Sequence, residues 1–276
     1  MNVSVIIPAY KAALTIGRTL ASITTQSLKP TEVIVVDDGS EDGTFEAAEA
    51  LKGKMNGIEL KVFSQKNLGA GAARNRAIKE STGDWLAFLD ADDEWLPEKL
   101  AISMNVIEKK NLTLFAHNYI SIDSADEILV DCAARYHAAD DPYIGLYRKG
   151  FIATSTVVVR REAVVSAGGF DETLATAQDF DLWLKILKKK EAIFQVAQDA
   201  LTHYYISPGS ITSHTKRRLD CSLRIARRHA ISKADLRYRI IAVHYEAIRA
   251  ALSHGQLFMS IRYLLVLPGR WLAGFF

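Results

Sequence analysis

Apolar and polar positions along this chain alternate between two rhythms. Val3-Ser4-Val5-Ile6-Ile7 is a β-branched run closed by Pro8, which predicts a first strand and its stop. From Ala12 to Ser27 the apolar residues Leu14, Leu20 and Ile23 take helical spacing, and Lys29-Pro30 predicts a turn. Glu32-Val33-Ile34-Val35-Val36 is a second buried strand, and helix signals resume from Asp42 to about Lys54. Ile58 to Phe63 alternates as a third strand, residues 67–81 make a small-residue loop and then a helix, and Trp85 to Leu89 is a fourth strand. Strands apolar along their whole length, separated by helices, predict an α/β fold with a mostly parallel sheet covered on both faces.

The rhythm is less regular beyond Pro97. A helix is expected to about Lys110, a strand within Leu112 to Ile122, and then a polar excursion, Asp123 to Tyr143, without periodicity. Thr154 to Arg161 reads as a strand, Glu162 to Ala167 as a short helix closed by Gly168-Gly169, and Asp179 to Lys189 as a helix. In that last helix Phe180, Trp183, Leu184 and Leu187 form the apolar face, with Trp183 expected in the core. From Lys216 onward the pattern is helical and basic. The division expected is 1–215 as the main domain, with a 1–110 half and a 111–215 half, and 216–276 as a helical extension.

Composition narrows the classes. With 276 residues, 49% apolar and 24% charged, the chain can bury a large core and has the make-up of a soluble globular protein. Cys132 and Cys221 are far apart and imply neither a disulfide framework nor a metal-ligand spacing, which suits a reducing compartment. Met1 to Pro8 lacks the basic start of a secretory signal, and no apolar run is long enough to span a bilayer. The net charge of +2 hides an asymmetry: residues 216–276 hold 12 Lys and Arg against 3 Asp and Glu, a balance of +9, leaving −7 on the rest. A basic tail on an acidic body is suited to an anionic surface. Phe258 to Phe276 is apolar, aromatic and basic, which favours a membrane interface over nucleic acid. A helical pair packed on the body or on a partner is the alternative.

The chemistry concentrates where strands end. Trp85-Leu86-Ala87-Phe88-Leu89 runs into Asp90-Ala91-Asp92-Asp93, three carboxylates in four positions. Like charges so close call for a cation, and hard oxygen ligands suit Mg²⁺ or Mn²⁺. A solvated acidic turn leading into a helix is the plainer reading of the same residues. Pro8-Ala9-Tyr10 and Asp37-Asp38-Gly39-Ser40 lie at two more strand ends, and open α/β sheets bind ligands there. Such a rim suits a nucleoside diphosphate, with Asp38 accepting a base or ribose donor. Asn67-Leu68-Gly69-Ala70-Gly71-Ala72-Ala73-Arg74-Asn75-Arg76 offers small residues for close backbone approach and two arginines for phosphate. It lacks the G-x-G-x-x-G dinucleotide pattern, and Ala72 and Ala73 also suit tight packing of a helix on the sheet.

In order and spacing, these motifs resemble family 2 glycosyltransferases. The matching stretches are Val3 to Tyr10, Val33 to Ser40, Gly71 to Asn75 and Phe88 to Asp93, continued by Ala167-Gly168-Gly169-Phe170-Asp171 and Gln178-Asp179-Phe180-Asp181-Leu182-Trp183-Leu184. Each alone is weak; the ordered set, over about residues 1–215, is specific. The resemblance implies a GT-A fold and an inverting transfer from a nucleotide-diphosphate sugar, expected to be a UDP-sugar, to a saccharide or lipid-linked saccharide in cell-surface polysaccharide synthesis. Pro8, Ala9 and Tyr10 would line the base pocket, Asp38 would hold the base, and Arg74 would support the base or diphosphate. Asp90 and Asp92 would serve the donor, Asp92 and Asp93 the Mn²⁺ or Mg²⁺, and Asp179 would act as general base. The expected location is cytoplasmic, peripheral on the inner face of the membrane.

Two places depart from the family pattern. Gln178-Asp179 replaces the usual Glu-Asp, and His203-Tyr204-Tyr205-Ile206-Ser207-Pro208-Gly209-Ser210 has Tyr and Ser where Arg and His are common. Three other readings compete. A phosphoacceptor receiver is about half this length. A nucleotidyltransferase would carry a basic Gly-rich loop where Pro8-Ala9-Tyr10-Lys11 stands. A catalytically altered glycan-binding relative would keep the fold without the chemistry.

Overall fold

The computed structural model describes residues 2–123, 126–206, 215–253 and 255–272. The first half alternates β1 (Val3–Ala9), α1 (Ile16–Thr24), β2 (Glu32–Asp37), α2 (Thr44–Glu49), β3 (Glu59–Ser64), α3 (Ala70–Glu80), β4 (Trp85–Phe88), β5 (Glu94–Trp95) and α4 (Lys99–Lys110). The second half runs β6 (Leu114–Ile122), β7 (Glu127–Val130), α5 (Cys132–His137), α6 (Pro142–Lys149), β8 (Val158–Arg160), α7 (Arg161–Ser166), α8 (Gln178–Leu187) and β9 (Phe194–Tyr205). Three helices follow: α9 (Thr215–His229), α10 (Lys233–Ser253) and α11 (Leu257–Leu272).

Among the described residues nine strands form one sheet in the order β3-β2-β1-β4-β8-β6-β9-β5, with β7 beside β6. The chain moves outward from β1 to β3 and returns to place β4 on the other side of β1, so a crevice opens beyond the ends of β1 and β4. Strand residues alternate between two cores. Val5, Ile7, Val33, Val35 and Ala87 pack with Ile16, Leu20 and Ile23 of α1 and Leu100 and Met104 of α4. Ile6, Ile34, Val36, Leu86 and Phe88 pack with Ala73 and Ala77 of α3 and Leu182, Trp183 and Ile186 of α8. Trp183 is thus a core residue, edge-on to Phe88 at 5.6 Å between ring centroids.

The sheet is uniformly parallel from β3 to β4 and mixed beyond it. Strand β8 runs antiparallel to both β4 and β6, β9 is parallel to β6, and β5 is antiparallel to β9. Strands buried on both faces are apolar throughout in either direction, so Val157-Val158-Val159 carries no mark of its orientation. The strand expected from Thr154 begins later, because residues 154–156 form a single 3₁₀ turn. The polar excursion contains β7, α5 and the start of α6, elements too short to show a period. Their signals are local: Asp131 accepts from the Ala134 amide, and Asp141 accepts from the Tyr143 and Ile144 amides beside Pro142. Strand β9 has no counterpart among the predicted strands. Its pairing with β6 shifts register around Asn118, which breaks the alternation that would have revealed it.

Helices α9, α10 and α11 share a small core of Leu219, Leu223, Ile240, Val243, Ala247, Ala251 and Tyr263. The opposite side of α11 leaves Leu257, Phe258, Ile261, Leu264 and Leu265 exposed, Phe258 by 91%. Among the described residues no helix is long and apolar enough to cross a membrane. Ala273 to Phe276, the end of the expected interfacial helix, lie outside the described residues.

One buried carboxylate locks the first strands together. Glu32 accepts from Ser4 Oγ at 2.6 Å, the Thr82 amide at 2.6 Å and Thr82 Oγ1 at 2.9 Å, and pairs with Lys61 Nζ at 2.7 Å. Gly83 is required beside it, since a Cβ there would meet Ser4 Oγ at 2.5 Å. Burial alone would raise the Glu32 pKa, but Lys61, Ser4 and Thr82 hold it down at about 2, below an ordinary value of 4.5. A depressed folded-state pKa adds stability that is complete above the unfolded value and is lost as pH falls toward the folded one. Glu32→Gln is therefore expected to cost about 2 kcal/mol at neutral pH. The gap to wild type should shrink as pH falls from 4.5 toward 2, read from urea melts across that range. A gap independent of pH would refute this account.

Candidate active site

The crevice beyond β1, β2 and β4 gathers the residues expected there. Strand β1 ends in Pro8 and Ala9, both buried, so they face the crevice through backbone only, and Ala9 O accepts from the Asp38 amide at 2.8 Å. Tyr10 follows with its ring half exposed, next to Lys11 in the left-handed region at φ 53°. Asp38 is buried behind this rim. Its Oδ1 accepts from Gln65 Nε2 at 2.8 Å and the Leu68 amide at 2.9 Å, and its Oδ2 from the Gly69 amide at 2.8 Å. Asp38 thus fastens the loop that leads into α3. Gly39, at φ 74°, lets that loop cross, since a Cβ would lie 2.8 Å from the Asn67 nitrogen.

The acidic turn is held from three directions. Arg18 Nη2 donates to Asp92 O at 2.6 Å, and Thr19 Oγ1 donates to Ala91 O and Asp93 O at 3.0 and 2.8 Å, so α1 grips the turn's backbone. Ser155 Oγ accepts from the Asp90 amide at 3.1 Å and donates to Asp93 Oδ2 at 2.5 Å. From β9 the Tyr205 amide donates to Asp93 Oδ1 at 3.0 Å. Asp93 is only 1% exposed, with both oxygens engaged inside the protein, whereas Asp90 and Asp92 are half-buried at the rim. Burial, then the charges of Asp90 and Asp92, push the Asp93 carboxyl well above the usual carboxylate range. Among the described residues no three or more His, Cys, Asp or Glu converge as a ready metal cage. A cation here would complete its shell with phosphate and water, as Mg²⁺ commonly does.

Arg74 pairs with Asp90 and feels the charge of Asp179. Its Nη2 lies 2.5 Å from Asp90 Oδ1. Burial works against its charge, but Asp90 and then Asp179 outweigh that and hold the guanidinium above its ordinary pKa. Asp179, in the first turn of α8, accepts from Thr154 Oγ1 at 2.7 Å. The residue before α8, Ala177, is left-handed at φ 58°, a conformation that costs a non-glycine residue about 1 kcal/mol. The small residues of the 67–76 stretch serve packing: a Cβ on Gly71 would touch Gln178 Cγ at 3.4 Å. Asn75 exchanges hydrogen bonds with the backbone of Phe170, 2.9 Å each way, so two motifs far apart in sequence are one junction.

Sequence reasoning missed Thr154 and Ser155, which touch Asp179 on one side and Asp90 and Asp93 on the other. Their signal was the run Thr154-Ser155-Thr156, three hydroxyls in what read as a strand. Arg18 was missed too; its guanidinium also stacks 3.6 Å over the Tyr205 ring and pairs with Glu94. Tyr204 packs 5.4 Å from Tyr119, and burial and then the charges of Asp93, Asp90 and Asp92 raise its phenol pKa. His203 pairs with Glu94 through the β9–β5 ladder. Ser207 to Ser210 lie outside the described residues.

Compared with known proteins, residues 4–164 match the family described as Glycosyl transferase family 2. The chain is 33% identical over 216 residues to the amylovoran biosynthesis glycosyltransferase AmsB of Erwinia amylovora, covering 75% of this chain and 71% of that protein. It is 29% identical over 259 residues to WfaP of Escherichia coli, a UDP-Glc:alpha-D-GlcNAc-diphosphoundecaprenol beta-1,3-glucosyltransferase, covering 91% and 95%. Among solved structures, the mannosyltransferase PcManGT from Pyrobaculum calidifontis, in complex with GDP-Man and Mn2+, matches with a TM-score of 0.69 at 19% identity, over 99% of this chain and 85% of that one. That last likeness is one of fold.

Ser155 supports the acidic turn through two hydrogen bonds and is fully buried. Ser155→Ala is expected to destabilise the protein by about 1–3 kcal/mol, because it leaves the Asp93 oxygen and the Asp90 amide without their partner. Differential scanning calorimetry reads this as a fall in Tm of roughly 2–4 °C for each kcal/mol at this chain length. An unchanged Tm would remove Ser155 from this role.

Proposed function

The chain belongs to glycosyl transferase family 2, and from that premise we propose that it is an inverting enzyme using a UDP-sugar to extend a lipid-linked saccharide in cell-surface polysaccharide assembly. It is a glycosyltransferase of GT-A fold. The observation that carries the finer reading is Arg74, whose guanidinium pairs with the acid at the end of β4 and is close enough to feel the charge of the acid that opens α8. A donor diphosphate and an acceptor base need that proximity. The proposed step is a single displacement. The acceptor oxygen attacks the anomeric carbon from the face opposite the diphosphate, Asp179 takes its proton, and the bond to the diphosphate breaks. An α-linked donor yields a β-glycoside. Thr154 orients the Asp179 carboxylate, and Arg74 faces the departing charge.

Asp38 contributes its remaining lone pair to the base, with Tyr10 over the rim and Pro8 and Ala9 as backbone wall. Asp90 serves the ribose side. The acids fit a divalent cation: they are hard oxygen ligands, and the raised Asp93 carboxyl marks a turn short of positive charge. We assign the cation contact to Asp92, and give Asp93, expected beside it, the part of a brace from behind. Mn²⁺ or Mg²⁺ bound there would neutralise the diphosphate. UDP as the nucleotide and a lipid-diphosphate acceptor are supported by the name of the relative WfaP, and a metal by the bound Mn2+ of the fold neighbour.

A second part of the proposal concerns location: the protein sits on the cytoplasmic face of an anionic membrane. Its support is the exposed apolar side of α11 on an extension rich in Lys and Arg.

Thermal shift against UDP-, GDP- and dTDP-sugars with Mn²⁺ or Mg²⁺ should single out a UDP-sugar; no stabilisation by any donor sinks the reading. Asp179→Asn is expected to lower transfer by about 10²–10⁴-fold while donor binding by calorimetry stays. Loss of donor binding instead would take Asp179 out of the base role. For the membrane, the double variant Phe258→Glu, Leu265→Glu alters only exposed positions. It should weaken co-sedimentation with phosphatidylglycerol vesicles by at least about tenfold, and undiminished pelleting would refute the anchor.

A further inference from the structure

The first turn of α8 carries more than Asp179. Two residues on, Asp181 is fully buried, an expensive place for a carboxylate. Its Oδ1 accepts from Arg228 Nη1 at 2.8 Å and lies 2.9 Å from His229 Nε2, and its Oδ2 pairs with Lys185 Nζ at 2.8 Å. Arg228 and His229 are the end of α9, in the C-terminal extension. The same Arg228 Nη1 reaches Asp171 Oδ2 at 2.8 Å, so one guanidinium ties the segment before α8 to its first turn. Burial raises the Asp181 pKa, but His229, Lys185 and Arg228 more than offset it and hold the group at about 2, ionised at any ordinary pH.

The extension grips the neighbours of Asp181 as well. Arg224 of α9 donates to Thr173 O and Oγ1 at 3.0 and 2.8 Å. Arg239 of α10 stacks its guanidinium 4.9 Å over the Phe180 ring and donates to Arg148 O at 2.7 Å. Tyr147 of α6 donates to Ala226 O at 2.8 Å. Residues 171, 173, 180 and 181 are thus all held by α9 or α10, and they bracket position 179. Something must hold this turn, because α8 starts from a left-handed Ala177 whose carbonyl accepts from the Asp181 amide at 3.2 Å. A base displaced by 1 Å costs on the order of 10²-fold in rate.

We propose that the C-terminal extension is part of the catalytic apparatus, and that Asp181, clamped by Arg228 and His229, is a positioning residue that sets Asp179 against the donor site. All of these residues lie beyond the 4–164 span that matches the family. The proposal rests on Asp179 acting as base. It separates the extension's two parts: α9 and α10 serve the chemistry through their inner side, and α11 serves the membrane through its outer side.

Removing Asp181 strands buried cations and endangers folding, so the test uses Arg228, whose side chain is 35% exposed. Full-length Arg228→Met and Arg228→Lys are compared with wild type in solution, without membranes, following release of UDP from UDP-glucose and UDP-N-acetylglucosamine with water as acceptor. Arg228→Met should lower kcat by about 10- to 100-fold, with KM and UDP affinity within about twofold, and Arg228→Lys should recover much of the rate. Hydrogen exchange should quicken in residues 177–184 and stay unchanged in 85–95. Unaltered exchange in 177–184 overturns the clamp. Quicker exchange with wild-type kcat, or kcat, UDP affinity and Tm falling together, overturns the positioning role. Wild type that releases no UDP from either sugar counts against the donor reading alone, and the exchange comparison then decides the clamp.

Discussion

Three carboxylates in four positions repel one another, and the surroundings of Asp90, Asp92 and Asp93 are built to hold them in place. Helix α1 takes the backbone through Arg18 and Thr19, Ser155 and the Tyr205 amide take the Asp93 oxygens, and Arg74 neutralises Asp90. These partners come from positions 18, 19, 74, 155 and 205, so the turn is held by segments from both halves of the chain. Burial and the residual repulsion from Asp90 and Asp92 hold the Asp93 carboxyl above the usual carboxylate range.

That constraint also explains why the two halves of the chain are one sheet. Strand β8 inserts beside β4, and the 3₁₀ turn before it delivers Thr154 and Ser155 to the rim. Strand β9 returns beside β6 and brings Tyr204 and Tyr205 to the same place. Gly71 and Asn75 let α3 meet the Phe170 turn and the start of α8, which brings Asp179 within electrostatic reach of Arg74. The parallel half supplies the acidic turn and the crevice; the later segments supply the hydroxyls of Thr154 and Ser155 and the Asp179 carboxylate.

The C-terminal helices have two different faces. Their inner side is polar where it meets α8 and α6, through Arg224, Arg228, His229 and Arg239. The outer side of α11 is apolar and exposed. Part of the tail's excess of basic residues is therefore structural, since several of its arginines are occupied by carboxylates and carbonyls of the body.

Read from the sequence alone, the strands β1 to β4, the helices between them and the acidic rim were legible, because each is a local pattern: an apolar run, a 3.6-residue spacing, a cluster of like charges at a strand end. Trp183 was legible as core for the same reason. The direction of β8, the register shift that hides β9 and the turn at 154–156 were not, because strands buried on both faces look alike whichever way they run. Arg18, Thr154, Ser155 and the Arg228–Asp181 clamp were equally hidden. Arg, Ser and Thr are common on surfaces and carry no positional signal until distant segments bring them against a charge. The sequence by itself determined which residues are charged and which segments are stiff and apolar. Tertiary structure alone decided which charges meet, because a buried carboxylate is stable only where the fold provides its partners.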